Sequence, residues 1–584
     1  MKKSWKKLVA LGIIATSSLA LLSACSSKKT ASVDRSETIT VDVYDDVANY
    51  MGIQKGWFAQ LVKDKFNIEL NIIAPNVAGN GDTLYQTRTA AGDLGDIIIT
   101  SSGEHYNELV EAGLLYDSTE LYENMENLQN YDSAVQYLNS DGTIYGFPTE
   151  VSNSSPTESS EALDPTFGAY LRWDLYGEVG YPEISTLEDL LPVLAAMQEA
   201  NPTSDSGKKV YAFSLFSDWD GNMMGAAKQL AALYGYDELG LGFILAKADG
   251  SDYQSIIDSD SQYVRALKFY FEANQLGLVD PESTTQNYDT LYSKFQDGQV
   301  LFSWWPWLGQ SAYNTTDNLN AGKGFMSVSI EDEQIFSYGA YAYGGKQFIG
   351  IGANAEDPER IAEFIDWLYS PEGERANSSS SQGSAGIEGL TWDINDDGLP
   401  ELTDFGKSAL LSGDDVEVPE EYGSGSYSDG LSTLNVNTIL PIDIDPDTNC
   451  PYYFTLWDTY QQEYNTSPVF TDWSSHMDNA ETTIDYLEEN DQLLVAPGAS
   501  YTAPEDDSEI ETLRNQVKST ILEYSWKMVF AKDEAEFNSL LKEMQDTAKG
   551  LNYDKVLAVD MQNAKDQQKA REEVVKEAKA DDND

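Results

Sequence analysis

The sequence predicts an α/β fold divided among more than one domain. Strands and amphipathic helices alternate over the first hundred residues, and a length of 584 residues exceeds what one hydrophobic core organises. Of the two cysteines, Cys25 lies in an N-terminal leader and Cys450 stands alone. No internal disulfide is left to hold the fold, so its cores must do so.

Residues 38–44, TITVDVY, alternate β-branched and polar side chains as a strand, and WFAQLVKDKF at 57–66 has the period of an amphipathic helix. NIELNIIAP at 67–75 predicts a second strand, DTLYQTRTAAGDLG at 82–95 a second helix, and DIIIT at 96–100 a short buried strand. This βαβαβ order predicts a parallel sheet, with ligands gathering at the carboxyl ends of its strands. Asp45 to Tyr50 follow the first strand and TSSGEHYNEL the third, which makes Asp45, Tyr50, Ser101, Ser102 and Glu104 candidate ligand contacts. Ser/Gly-rich runs at 376–386 and 422–430 predict surface loops or cleft rims. The terminal NAKDQQKAREEVVKEAKADDND mixes charges with helix formers and predicts a solvated helix that frays.

Lys2, Lys3, Lys6 and Lys7 precede an uncharged run from Leu8 to Ala24. At about seventeen residues the run is shorter than the roughly twenty a spanning helix needs, so 1–24 is expected to be a signal peptide. Leu22, Ser23, Ala24 and Cys25 resemble the lipobox of bacterial lipoproteins. That resemblance implies a diacylated, palmitate-bearing Cys25 at the mature N-terminus and a membrane-anchored chain on the extracytoplasmic face. An ordinary signal peptide with an incidental cysteine is the alternative. Residues 25–37 then form a polar tether.

The formal net charge is −62, and loss of the leader's lysines makes it more negative. Nucleic acid is excluded as a partner, because its backbone calls for clustered Lys and Arg. Two histidines far apart, His105 and His476, argue against a histidine metal site or a Ser-His-Asp triad.

KGWFAQLVKDKFNIELNIIAP, AAGDLGDIII and DGTIYGFP follow one another over 55–148, then YLRWDLYGEVGYPEISTLEDLLPVLAAMQEANP, LKFYFEANQLGLVDPESTTQNYDTLYSKFQDGQVLFSWWPW and DPERIAEFIDWLYSPEGE. In that order they resemble the extracellular solute-binding proteins of ABC sugar transporters, the large lipoprotein type related to maltose-binding protein. The resemblance implies a two-lobed, periplasmic-binding-protein-like fold with a ligand cleft between the lobes. The expected organisation is lobe 1 over 38–150 and 316–445, and lobe 2 over 151–315 and 446–584, with C-terminal helices in the last segment.

SWWPWLGQ places Trp304, Trp305 and Trp307 at the end of an expected strand, Pro306 stopping it and leaving Trp307 in a loop. Indoles stack on the apolar faces of sugar rings, so the cluster suits a saccharide cleft; core tryptophans are the alternative. SDWDGNMMG at 217–225 offers Asp218, Trp219 and Asn222 for stacking and for hydrogen bonds to hydroxyls, or forms a surface turn. Arg172 is expected to pair with a neighbouring acid, and aromatics at 338–345 and 450–460 are further wall candidates. DINDDGLPELTD puts Asp393, Asn395, Asp397, Glu401 and Asp404 at calcium-loop spacing, with Asp404 in place of the usual Glu. Pro400 and the lack of flanking helices favour a plain hairpin, and no metal or other cofactor is assigned.

These residues fit a monomeric, non-enzymatic capture protein whose lobes close on a neutral oligosaccharide and deliver it to the permease subunits of an ABC importer. A peptide- or polyamine-binding lipoprotein of the same fold is the alternative, using cleft acids and cation–π contacts. An anchored glycoside hydrolase is the weaker one, because ninety-eight acids bring some carboxylate pair together by chance.

Overall fold

The computed structural model describes residues 35–78, 81–217, 222–240, 242–378, 383–411, 415–501, 503–504 and 506–581. The βαβαβ unit consists of β1 (Ile39–Asp45), α1 (Gly56–Phe66), β2 (Ile68–Ile73), α2 (Gly81–Ala91) and β3 (Ile97–Ser101), followed by α3 (Glu104–Glu111). α1 buries Trp57, Phe58 and Val62 and stops at Asn67, whose left-handed φ of 56° turns the chain straight into β2. β1 pairs in parallel with β2, Ile39 opposite Ile68, and with β3, Val43 opposite Ile97. β3 is buried over Ile97–Thr100, which accounts for its unbroken apolar run.

The helices on this sheet complete a first core that also takes in Val151, Ile349, Trp367 and Tyr452. A second core begins at Phe167. It contains α4 (Asn222–Leu230), β4 (Tyr236–Asp237), α5 (Pro306–Tyr313) and β5 (Ile335–Tyr338). β6 (Gln347–Ile351) returns to the first sheet, antiparallel to β3 with Gln347 opposite Ser101. β7 (Leu493–Ala496) pairs in parallel with β5, and α6 (Ser508–Val529) and α7 (Tyr553–Asp581) pack on the second core.

Leu319, Phe325, Met326, Ile335 and Phe336 pack in the second core, because Phe325–Ser327 pairs with Tyr170–Arg172. The return to the first core follows Tyr338. Tyr452 is still in the first core, Trp457 packs on Trp392, and Val469 is back in the second, so the last crossing lies later than residue 446. Pro306 opens a helix, its missing N–H costing nothing at the first turn, so Trp307 is helical and not in a loop.

The connecting segments meet side by side. Val151 N–H donates to the Thr438 carbonyl at 3.1 Å and Leu440 N–H to the Val151 carbonyl at 2.9 Å. Asp443 accepts from Ser152 Oγ at 2.5 Å, Asn153 N–H at 2.8 Å and Ser154 Oγ at 2.9 Å. Gly339 sits where a Cβ would lie 2.3 Å from the Pro156 carbonyl oxygen, so only glycine allows this approach.

Candidate functional site

A cleft of about 580 Å³ opens where β3 and β6 meet the ends of β5 and β7. Antiparallel pairing brings the last residue of β3, Ser101, beside the first of β6, Gln347. Ser102 N–H and Oγ donate to the Lys346 carbonyl at 2.8 and 3.0 Å, fixing this rim. Because β5 and β7 run parallel with Tyr338 opposite Ala496, both carboxyl ends reach the cleft, and Tyr341 and Tyr501 add to its wall. Burial pushes the Tyr338 hydroxyl well above its ordinary pKa.

Two of the three carboxylates lining the cleft are paired with arginines. Arg571 of α7 donates to Asp237 at 2.7 Å, and Asp560 accepts from Arg514 at 2.7 Å and from Phe243 N–H at 2.6 Å. Burial raises the Glu238 carboxyl against the opposing pull of Lys228. Lys228 is itself buried, donates to the Gly240 and Gly242 carbonyls at 2.5 and 3.0 Å, and is lowered to about 8.

Of the sequence candidates, Ser101 and Ser102 line this cleft. Trp304, Trp305 and Asn222 come together elsewhere, around a cavity of about 50 Å³ shared with Trp526. Trp304 and Trp305 are only 5% and 4% exposed, and Trp307, half-buried, stacks on Trp305 at 4.6 Å. Asn222 Oδ1 accepts from Trp526 Nε1 at 2.8 Å and Trp304 Nε1 donates to Gln229 Oε1 at 3.1 Å, so these polar groups already have protein partners. Asp218 and Trp219 lie outside the described residues, as does the side chain of Glu104, which begins α3.

Asp45 is fully buried and caps its own loop, Oδ1 accepting from Val47 and Ala48 N–H at 3.0 and 3.1 Å; burial raises its carboxyl well above the usual range. Tyr50 donates to the Ile53 carbonyl at 2.7 Å. The turn absorbs both, and neither lines the cleft. His105 stacks on Tyr85 at 4.1 Å, with Nδ1 2.8 Å from Thr100 Oγ1. Arg172 makes the expected ion pair, 2.7 Å from Asp174.

Residues 392–402 form a hairpin, Asp393 opposite Glu401, with Asn395 Oδ1 accepting from Asp397 and Leu399 N–H, both at 3.0 Å. Among the described residues no three His, Cys, Asp or Glu side chains are grouped to hold a metal ion.

The terminal segment corrects the expectation of a solvated, fraying helix. α7 lines the cleft with Asp560, Asn563, Ala564, Gln567 and Arg571, and Arg571 is 6% exposed. These positions share one face, and Val556 and Val574, both buried, extend the stripe. A stripe of 3.6-residue period within the charged run was the available signal. Further on, Glu577 accepts from Tyr343 at 2.7 Å, and Tyr343 stacks on Tyr137 of the first lobe at 4.2 Å.

Residues 57–386 match the family described as bacterial extracellular solute-binding protein. The fructooligosaccharide ABC transporter substrate-binding protein FusA of Streptococcus pneumoniae is 24% identical over 312 residues, 50% of this chain and 56% of that protein. The chain thus spans little more than half of that relative. The structure of S. pneumoniae FusA in complex with kestose superposes with a TM-score of 0.54 at 15% identity, covering 92% of this chain and 99% of that one. An HMO-binding ABC-transporter-associated solute-binding protein from Bifidobacterium longum infantis gives 0.56 at 15% identity, covering 91% and 98%. Both likenesses establish the fold: two lobes of mixed helix and sheet. With more than half of its length matched to that family, the chain belongs to the bacterial extracellular solute-binding proteins.

Proposed function

We propose that this chain is a monomeric, lipid-anchored protein that captures a neutral oligosaccharide in the cleft at Ser101 and Tyr338 and delivers it to the permease of an ABC importer. The carrying observation is that two of the cleft's three carboxylates are held by arginines, Asp237 by Arg571 and Asp560 by Arg514. A charged ligand would have to break such pairs, whereas a neutral polyhydroxyl ligand needs only aromatic faces and uncharged donors and acceptors, which Tyr341, Tyr501 and Gln347 offer. Closure about the Val151, Gly339 and Ile439 connections would select ligand, because only the closed form contacts it from both lobes. FusA, named for fructooligosaccharides, and the HMO-binding protein support an oligosaccharide as the class.

Three carboxylates in the cleft are what a polyamine reader would use, but Asp237 and Asp560 are each held by an arginine. The leader and Cys25 lie outside the described residues, and among those described no helix is long and apolar enough to cross a membrane. Anchoring therefore rests on the lipobox resemblance.

A thermal-shift screen of the purified chain against neutral oligosaccharides and polyamines tests the reading. At a hundred times Kd a ligand adds about 2.7 kcal/mol. A shift with an oligosaccharide, and no new reducing ends on standing, is expected; a shift with polyamines alone would overturn it.

A further inference from the structure

We infer that the C-terminal helix supplies a hydroxyl-reading face to the cleft: the carboxamides of Asn563 and Gln567 on α7, together with that of Gln347 on β6, are ligand-binding residues that select a neutral polyol. This rests on the reading of the cleft as the ligand site.

Asn563 and Gln567 stand one helical turn apart, between the two residues of α7 committed to ion pairs, Asp560 and Arg571. Both line the cleft and both are half-buried. Neither side-chain amide makes a hydrogen bond to another described residue. Gln347 lines the opposite sheet's rim in the same condition: its backbone carbonyl accepts from Thr149 N–H at 3.3 Å and Thr149 Oγ1 at 3.1 Å, while its side-chain amide makes no hydrogen bond to another described residue. A carboxamide presents a donor and an acceptor side by side, which matches a hydroxyl that both gives and takes a hydrogen bond. Asp237, Asp560 and Arg571 are committed to ion pairs, whereas these three amides are open to a neutral ligand. A polyol meets them without displacing any protein contact.

The test uses the full chain and a panel of neutral tri- to pentasaccharides that includes kestose, titrated calorimetrically, with Asn563→Ala, Gln567→Ala and Gln347→Ala beside Lys565→Ala, an exposed position off the cleft face. Each amide variant is expected to weaken binding about three- to tenfold. Its Tm without ligand should stay at the wild-type value, since no protein bond is removed, and Lys565→Ala should change neither. Wild-type affinity in all three amide variants would overturn the assignment while leaving oligosaccharide capture intact. A lowered Tm in the unliganded variants would mean structural amides and would overturn it as well. Failure of the wild type to bind any member of the panel would remove the capture reading and this inference together.

Discussion

Arg571 Nη2 donates to Asp237 Oδ2 at 2.7 Å, and both side chains are 7% exposed. Removing one partner of such a pair strands the other charge away from water, which costs more than the pair itself is worth. Arg571→Met is expected to lower stability by about 3–5 kcal/mol. Combining it with Asp237→Asn should recover most of that loss in urea denaturation. Equal losses in the single and double variants would show that the ion pair is not the source.

Trp305 and Tyr341 should separate core from wall. Trp305 is 4% exposed and packed against Trp304 and Trp307, so Trp305→Ala should cost about 3–5 kcal/mol of stability. Tyr341, half-buried on the cleft, should instead lose ligand affinity as Tyr341→Ala, with Tm little changed. Denaturation and calorimetry on the same two variants decide it.

Glu333 is buried and pushed up to about 8 by desolvation. The folded state therefore holds its proton at pH values where the unfolded chain, with a carboxyl near 4.5, has released it. Stability from this group is full below pH 4.5, falls as pH rises toward 8 and is flat beyond. Glu333→Gln should match the wild type at pH 4.5 and exceed it at pH 8.5. Tm curves that stay parallel across that range would contradict the assignment.

Cys25→Ser is expected to move the chain from the membrane fraction to the medium, followed by immunoblot of fractionated cells. A variant that remains membrane-bound would set aside the lipid anchor.

The sheet was legible because period and burial agree: β2 alternates in its burial and β3 is buried throughout, as their sequences indicate. Ser101 and Ser102 were legible through the rule that ligands meet parallel strands at their carboxyl ends. The tryptophan run shows the limit, since Trp304 and Trp305 look the same in sequence whether they face a sugar or, as here, Phe302 and Phe216. Asn563 and Gln567 were obscured because charged neighbours outnumber the buried side of their helix. What places them in the cleft is long-range pairing, Arg571 to Asp237 across 334 positions, which local pattern does not carry.

The paired lining has a consequence for where such a protein can work. A neutral guest releases no counterions on entering, so the proposed cleft's hold on it should change little between dilute and brackish surroundings. The strongly acidic outer surface, on a chain whose net charge is −62, responds to changes in salt. On the proposed reading, recognition should vary little with the medium, whereas the charged surface varies with it.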